Sequence, residues 1–120
     1  MTSNRGPSEL AAKWEEAWNS HDLDRILALY SEDVIFKSPR IRTVSGKESG
    51  VLRGKSAVRD YLCRIFDRRP DLNCSVDHVF AGVDSVALEY RFAHGLHDIE
   101  FMTVDPDGLV TFAVGNDVVR

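Results

Sequence analysis

Long apolar runs are missing from this sequence. No stretch approaches the roughly 20 residues needed to cross a bilayer, and the opening segment MTSNRGPSEL lacks the hydrophobic centre of a secretion signal. A membrane span is therefore not expected, and the cytoplasm is the expected location. Cysteine is scarce: Cys63 and Cys74 stand eleven positions apart, one in a helical pattern and one in a strand pattern. Neither a disulfide framework nor a zinc-binding spacing fits them, so they read as small apolar packing residues. An excess of positive charge is absent too, since 15 Lys and Arg face 19 Asp and Glu for a net charge of -4. That balance argues against a nucleic-acid partner, which selects a basic surface. Gly-rich phosphate loops, a GxSxG elbow and an HExxH pair do not occur, which removes support for nucleotide-dependent and zincin chemistry. No metal site is expected.

What is present is an ordinary globular composition: 120 residues, 43% hydrophobic and 28% charged. This is enough chain for one core. Residues 1–6 are polar and aperiodic and read as a flexible tail, leaving 7–120 as a single domain. Leu10, Trp14, Ala17, Trp18 and His21 recur at helical spacing after Pro7. Asp22 then caps a short second helix whose inner stripe is Leu23, Ile26, Leu27 and Tyr30. Ser31-Glu32-Asp33 reads as a turn and Val34-Ile35-Phe36 as a strand stopped at Pro39. Arg40 to Arg53, rich in Gly, Ser and basic residues, reads as a loop or frayed hairpin long enough to form a lid. Gly54 opens a third helix with Ala57, Val58, Tyr61, Leu62, Ile65 and Phe66 inward, closed by Arg68-Arg69-Pro70. Four alternating segments follow, at 72–81, 85–93, 96–104 and 109–116, joined by Gly82-Val83-Asp84, His94-Gly95 and Pro106-Asp107-Gly108. The expected class is α+β, with a curved, mainly antiparallel sheet wrapped around three helices from the N-terminal half.

Three stretches carry a resemblance: WEEAWNSHDLDRILALYSEDVIF (Trp14 to Phe36), GKSAVRDYL (Gly54 to Leu62) and IEFMTVDPDGLV (Ile99 to Val110). In this order the chain resembles the nuclear-transport-factor-2-like superfamily, in particular its SnoaL-like polyketide cyclase and ketosteroid isomerase branches. The resemblance implies a cone-shaped fold with an apolar pocket, cofactor-free chemistry, and a homodimer formed through the outer sheet face. It also implies site positions. The isomerase base falls on Ser38, which cannot replace a carboxylate, and the oxyanion-site tyrosine falls on Trp14, which can donate a hydrogen bond but is not acidic. The acidic residue of the penultimate strand falls on Glu100, within Ile99-Glu100-Phe101-Met102.

Strand register tests that position independently of the family. With Pro106-Asp107-Gly108 as a three-residue loop, Glu100 lies opposite Val114 and shares an apolar face with Met102, Val104, Val110 and Phe112. A carboxyl group there would be held uncharged to higher pH, as a general acid requires. With His94-Gly95 as a two-residue turn, Glu89 falls opposite Glu100, and Arg91 opposite Asp98. His78 falls opposite Glu89. The catalytic candidates are therefore Glu100, His78, Glu89 and Arg91, set against the alternative that the last three form cross-strand pairs on a face turned to water. Trp14, Trp18, Tyr30, Phe36, Ser38, Tyr61, Met102, Phe112 and Val114 are the candidate ligand-lining residues, and the aromatic ones among them serve equally well as plain core. Lys37, Arg40, Arg42, Lys47 and Arg53 crowd the loop at the expected pocket mouth, as a solvated lid or as a means of steering an anion.

Three functions fit. One is a pocket for a small apolar carbonyl-bearing molecule, with isomerisation or cyclisation by acid/base chemistry. Another is a non-catalytic binding or dimerisation module of the same fold. The third is an epoxide hydrolase-like reaction, which needs two carboxylates and an arginine around a water.

Overall fold

The structure is a computed structural model that describes residues 6–93 and 95–119. Most of the expected tail, the turn residue His94 and Arg120 lie outside the described residues. The elements run α1 (Pro7–Ser20), α2 (Leu23–Leu27), β1 (Tyr30–Lys37), α3 (Pro39–Val44), β2 (Val51–Arg53), α4 (Lys55–Arg68), β3 (Cys74–Gly82), β4 (Ser85–Phe92), β5 (His97–Val104) and β6 (Val110–Asp117). One six-stranded sheet has the order β2-β1-β6-β5-β4-β3. Every neighbouring pair is antiparallel except β1 with β6. The helices cover one face, giving the expected α+β class. No helix among the described residues is long and apolar enough to cross a membrane.

Local chemistry explains the element boundaries. Pro7 occupies the first turn of α1, where its missing N–H leaves nothing unsatisfied. His21 ends that helix in the left-handed region at φ 61°; its ring stacks on Phe66 and its Nε2 donates to the Leu72 carbonyl at 2.6 Å. The Asp22 carboxylate then accepts from the backbone N–H groups of Asp24 and Arg25, a cap worth about 1 kcal/mol. Two expectations need correction. Ser31 to Asp33, read as a turn, lie inside β1 as the irregular stretch between the pairings Tyr30–Val110 and Ile35–Phe112. The supposed lid of 40–53 contains a fourth helix, α3. Ser38 caps it through its hydroxyl, Pro39 starts it, and Ile41 and Val44 bury its inner side. Pro39 ends the strand as expected, but Pro is also suited to a helix start.

The core lies between helices and sheet. Trp14, Ile26, Tyr30, Val34, Val58, Tyr61 and Leu62 on the helical side and β1 meet Leu88, Tyr90, Met102, Val110 and Ala113 from the later strands. Rings form a continuous wall: Trp14 meets Tyr90 edge-on at 4.9 Å, Tyr90 meets Phe92 at 5.5 Å, and Phe36 bridges Tyr30 and Tyr61 at 6.1 and 5.8 Å.

Register decides which residues face this core, and here the expected pairings shift. The β4–β5 connection spans residues 93–95, with the Phe92 N–H bonded to the Leu96 carbonyl. One residue more than the expected turn reverses the parity, so Glu100 pairs with Leu88, and Asp98 with Tyr90, while Glu89 pairs with Ile99 and Arg91 with His97. The Pro106-Asp107-Gly108 loop forms as expected, since the Asp105 N–H bonds to the Leu109 carbonyl. A bulge beyond it, between Val104–Val110 and Thr103–Phe112, shifts β6 by one residue. Glu100 therefore faces Gly115 and not Val114, and Phe112 and Val114 lie on the outer face.

Candidate active site in the sheet hollow

The inner-face sequence of β5 is Asp98, Glu100, Met102, and that of the far end of β6 is Ala113, Gly115, Asp117. Parity alone thus brings three carboxyl groups to the same end of the sheet. Asp98 and Glu100 are each only 4% exposed. They line a small cavity with Asp117, Trp14 and Trp18 from α1, Phe36 and Ser38 at the end of β1, Arg40 of α3, and Tyr61 and Ile65 of α4. Cys74, Tyr90, Phe92 and Gly115 complete the wall. Its volume is about 20 Å³, room for a single water molecule.

Among the described residues Arg40 is the one cation in this wall. Its Nη2 lies 3.0 Å from Asp98 Oδ2 and 3.8 Å from Asp117 Oδ1, and its guanidinium sits over the Phe92 ring at 5.2 Å. Burial raises the Asp98 pKa and Arg40 partly offsets the rise. Glu100 has no such bond. Burial pushes its pKa up to about 8, against the pull of Arg40 and helped by the charges of Asp98 and Asp117. At pH 7 Glu100 is therefore mainly a neutral carboxylic acid and a hydrogen-bond donor.

Its surroundings are short of partners. Among the described residues, Glu100 Oε2, Tyr30 Oη and the indole Nε1 atoms of Trp14 and Trp18 are buried without a hydrogen bond of good geometry. Burial, and then Glu100, raise the Tyr30 pKa, while the nearby Trp18 and Trp14 indoles act the other way. The Trp14 and Trp18 indoles line the cavity with Tyr30 behind them, so two N–H donors border the space beside the acid, an arrangement suited to receiving an oxygen that gains negative charge. Gly115 makes the approach possible. A Cβ there would stand 3.2 Å from Ser38 Oγ and 3.3 Å from Glu100 Oε1, so any side chain would press on both groups.

Trp14, Trp18, Phe36, Ser38 and Tyr61 line the cavity, as does Glu100. Tyr30 is fully buried behind them and Met102 lies in the solid core beside Glu100. Phe112 and Val114 are corrected to the opposite face, where the Lys37 ammonium sits 5.2 Å from the Phe112 ring centre.

His78, Glu89 and Arg91 are likewise separated from Glu100 by the thickness of the sheet. His78 does pair with Glu89, its Nδ1 lying 2.7 Å from Glu89 Oε1, but His78 is 68% exposed at its side chain. Glu89 Oε2 also stands 2.9 Å from His97 Nε2, and Arg91 makes a two-pronged bond to Asp77. A bulge at Asp77, between the pairings Val76–Tyr90 and His78–Glu89, parts His78 from the inward Cys74 and Val76. These are outer-face pairs.

Arg40, Asp98, Gly115 and Asp117 were not identified as site residues. For Asp98 a signal existed, since it shares the parity of Glu100 and Met102. For Asp117 the bulge hid it, and for Arg40 the unrecognised α3. No group of three or more His, Cys, Asp or Glu among the described residues is arranged to hold a metal.

Comparison with known proteins now places the chain. The SnoaL-like domain family matches residues 11–119. A SnoaL-like protein of unknown function from Burkholderia thailandensis is 36% identical over 98% of both chains, with a TM-score of 0.90. A candidate ketosteroid isomerase from Kribbella flavida is 21% identical, over 98% of this chain and 81% of that one, with a TM-score of 0.75. TerC, co-crystallised with polyporic acid, is 15% identical over 93% and 91%, also at 0.75. The last two likenesses concern the fold alone. Among curated proteins none matches in sequence. With the family matched from the first helix to the last strand, this chain belongs to the SnoaL-like domain family.

Proposed function

We propose that the hollow, with room for one water-sized group, receives the carbonyl oxygen of a small apolar molecule whose neighbouring carbon stays at its mouth and there exchanges a proton, with Glu100 as the acid. The observation that supports this reading is a carboxyl group whose burial holds it mainly neutral at pH 7, facing a cavity where the Trp14 and Trp18 indole N–H groups lack partners. In the step, a C–H bond next to the carbonyl breaks and its electrons form a C=C bond. The carbonyl π pair moves onto oxygen, which takes the Glu100 proton or a strong hydrogen bond from it. The carbon's proton goes to Asp117, the wall carboxylate held less closely by Arg40. Its return at a different carbon gives an isomer; attack of the enol on a second carbonyl closes a ring.

The test is hydrogen–deuterium exchange at the carbon next to the carbonyl of 2-tetralone in D2O, followed by proton NMR. The protein should accelerate exchange, and Glu100→Gln and Asp117→Asn should each lower the gain by about 100-fold, the usual scale for a positioned acid or base. Acceleration should fade as pH rises through about 8, where Glu100 loses its proton. Undiminished exchange in Glu100→Gln refutes the assignment.

A second reading rests on Asp98–Arg40–Asp117, two carboxylates bridged by a guanidinium at a cavity that fits one water. One carboxylate would take a proton from that water as it attacks an epoxide carbon, and the other, protonated, would give its proton to the leaving oxygen. Diol formation from styrene oxide, lost in Arg40→Met, would favour it over the first reading. Saturable binding of either compound without turnover would favour the non-catalytic binding module. We also propose that the outer sheet face pairs with a second copy, because Phe80, Ile99 and Phe101 on it are 55%, 42% and 37% exposed.

A further inference from the structure

Immediately outside the hollow lies a second cavity of about 220 Å³, ten times larger. Arg40, Ile65 and Phe92 line both spaces and so form the partition between them. The outer chamber adds Arg68 and Arg69 from the end of α4, with Leu72 and Leu96 as apolar floor. Among the described residues no acidic one lines it.

Its three arginines are not equally engaged. Arg40 is held by Asp98. Arg68 makes one long bond, 3.5 Å from its Nη1 to the Thr43 carbonyl. Arg69 has no side-chain hydrogen bond or ion pair among the described residues. Two guanidinium groups with unused donors thus border an apolar chamber that only Arg40, Ile65 and Phe92 part from the hollow holding Glu100. Guanidinium groups bind carboxylates through paired N–H bonds and keep their charge at every physiological pH. An uncharged ligand would leave that capacity unused.

We propose that the outer chamber is the anion subsite of the ligand site, and that the natural ligand is an amphipathic organic carboxylate. Its charged end rests on Arg68 and Arg69, its apolar body lies over Leu72, Leu96 and Phe92, and its carbonyl end enters the hollow. This rests on the proposed function for the carbonyl end alone; the anion subsite stands on the chamber's own residues.

Two probes separate the parts: 2-naphthoate, and 2-naphthamide as its uncharged counterpart. Binding is followed by proton–nitrogen NMR at 50 mM salt. The chain has two tryptophans, so the indole N–H signals of Trp14 and Trp18 report on the hollow and the arginine Nε–H signals on the chamber. Naphthoate should bind at least fivefold more tightly than naphthamide and move the Arg68 and Arg69 signals. In the variant Arg68→Gln/Arg69→Gln, both sites being exposed, naphthoate affinity should fall at least fivefold while naphthamide affinity stays the same. Equal affinities for the two probes, or naphthoate binding unaffected by the double substitution, overturn the anion subsite even if both probes move the indole signals. Charge-dependent shifts at Arg68 and Arg69 uphold the subsite, and indoles silent to 2-naphthamide, the probe with a neutral carbonyl end, refute entry into the hollow. Silence from both probes at both places overturns both.

Discussion

Replacing Glu100 with glutamine removes the ionisable proton while preserving shape, which turns the burial of this residue into a measurable pH effect. In an unstructured chain the carboxyl titrates at 4.5; in the fold it titrates at about 8. The folded protein therefore holds the proton after the unfolded chain has released it. Stability contributed by Glu100 is fully present below pH 4.5, declines as pH rises from there to about 8, and is level beyond. At 1.36 kcal/mol per unit, the loss is about 3 kcal/mol by pH 7 and about 5 kcal/mol above pH 8. Glutamine has no such decline. Relative to Glu100→Gln, the wild type should lose about 3 kcal/mol between pH 4.5 and 7, or roughly 10 °C in Tm for a chain of this size. Urea denaturation of both proteins at half-unit steps from pH 4.5 to 9, read by tryptophan fluorescence, gives the difference directly. Titrations of every other group are common to both and cancel to first order. Parallel profiles would mean that Glu100 ionises near its ordinary value, and the proposed acid would be lost with that result.

Gly115→Ala places a methyl group against Ser38 Oγ and Glu100 Oε1; it should leave a folded protein whose Trp14 and Trp18 indole signals no longer respond to 2-naphthamide, and an unchanged response would place binding elsewhere. On the outer face, Phe101→Glu should convert a dimer to a monomer in sedimentation velocity, whereas an identical sedimentation coefficient before and after would remove that face as the interface.

Much of the architecture is legible in the sequence because it rests on short-range rules. The stripe from Leu10 to Trp18, the Asp22 cap, the Gly54 helix start and the Pro106-Asp107-Gly108 loop each need only a few adjacent residues. The site depends instead on counting residues along strands, where a single extra one turns every following side chain over. The 93–95 connection and the bulges near Asp77 and Thr111 do this three times. Pairing with Val114 puts Glu100 on the apolar face in the sequence reading, and Glu100 is buried there opposite Gly115, because the bulge changes its β6 partner without turning β5 itself. Glu89 and Arg91 had no such protection, since their assumed place beside Glu100 depended wholly on the length of one turn. Bulges carry little sequence signature when no glycine marks them, and neither Asp77 nor Thr111 is one.

The parallel seam between β1 and β6 has a consequence for how this protein comes to exist. Tyr30 pairs there with Val110, residues from opposite ends of the fold, whereas the other long pairings are hairpins between sequence neighbours. Contacts within the helical half and within the hairpins close short loops, whereas this pairing closes a loop of some eighty residues, so it is expected to form after them and to complete the cover of the core. That late docking also delivers Gly115 and Asp117 to Ser38 and Arg40. Any change that slows this closure leaves apolar surface uncovered for longer and delays assembly of the hollow by the same step.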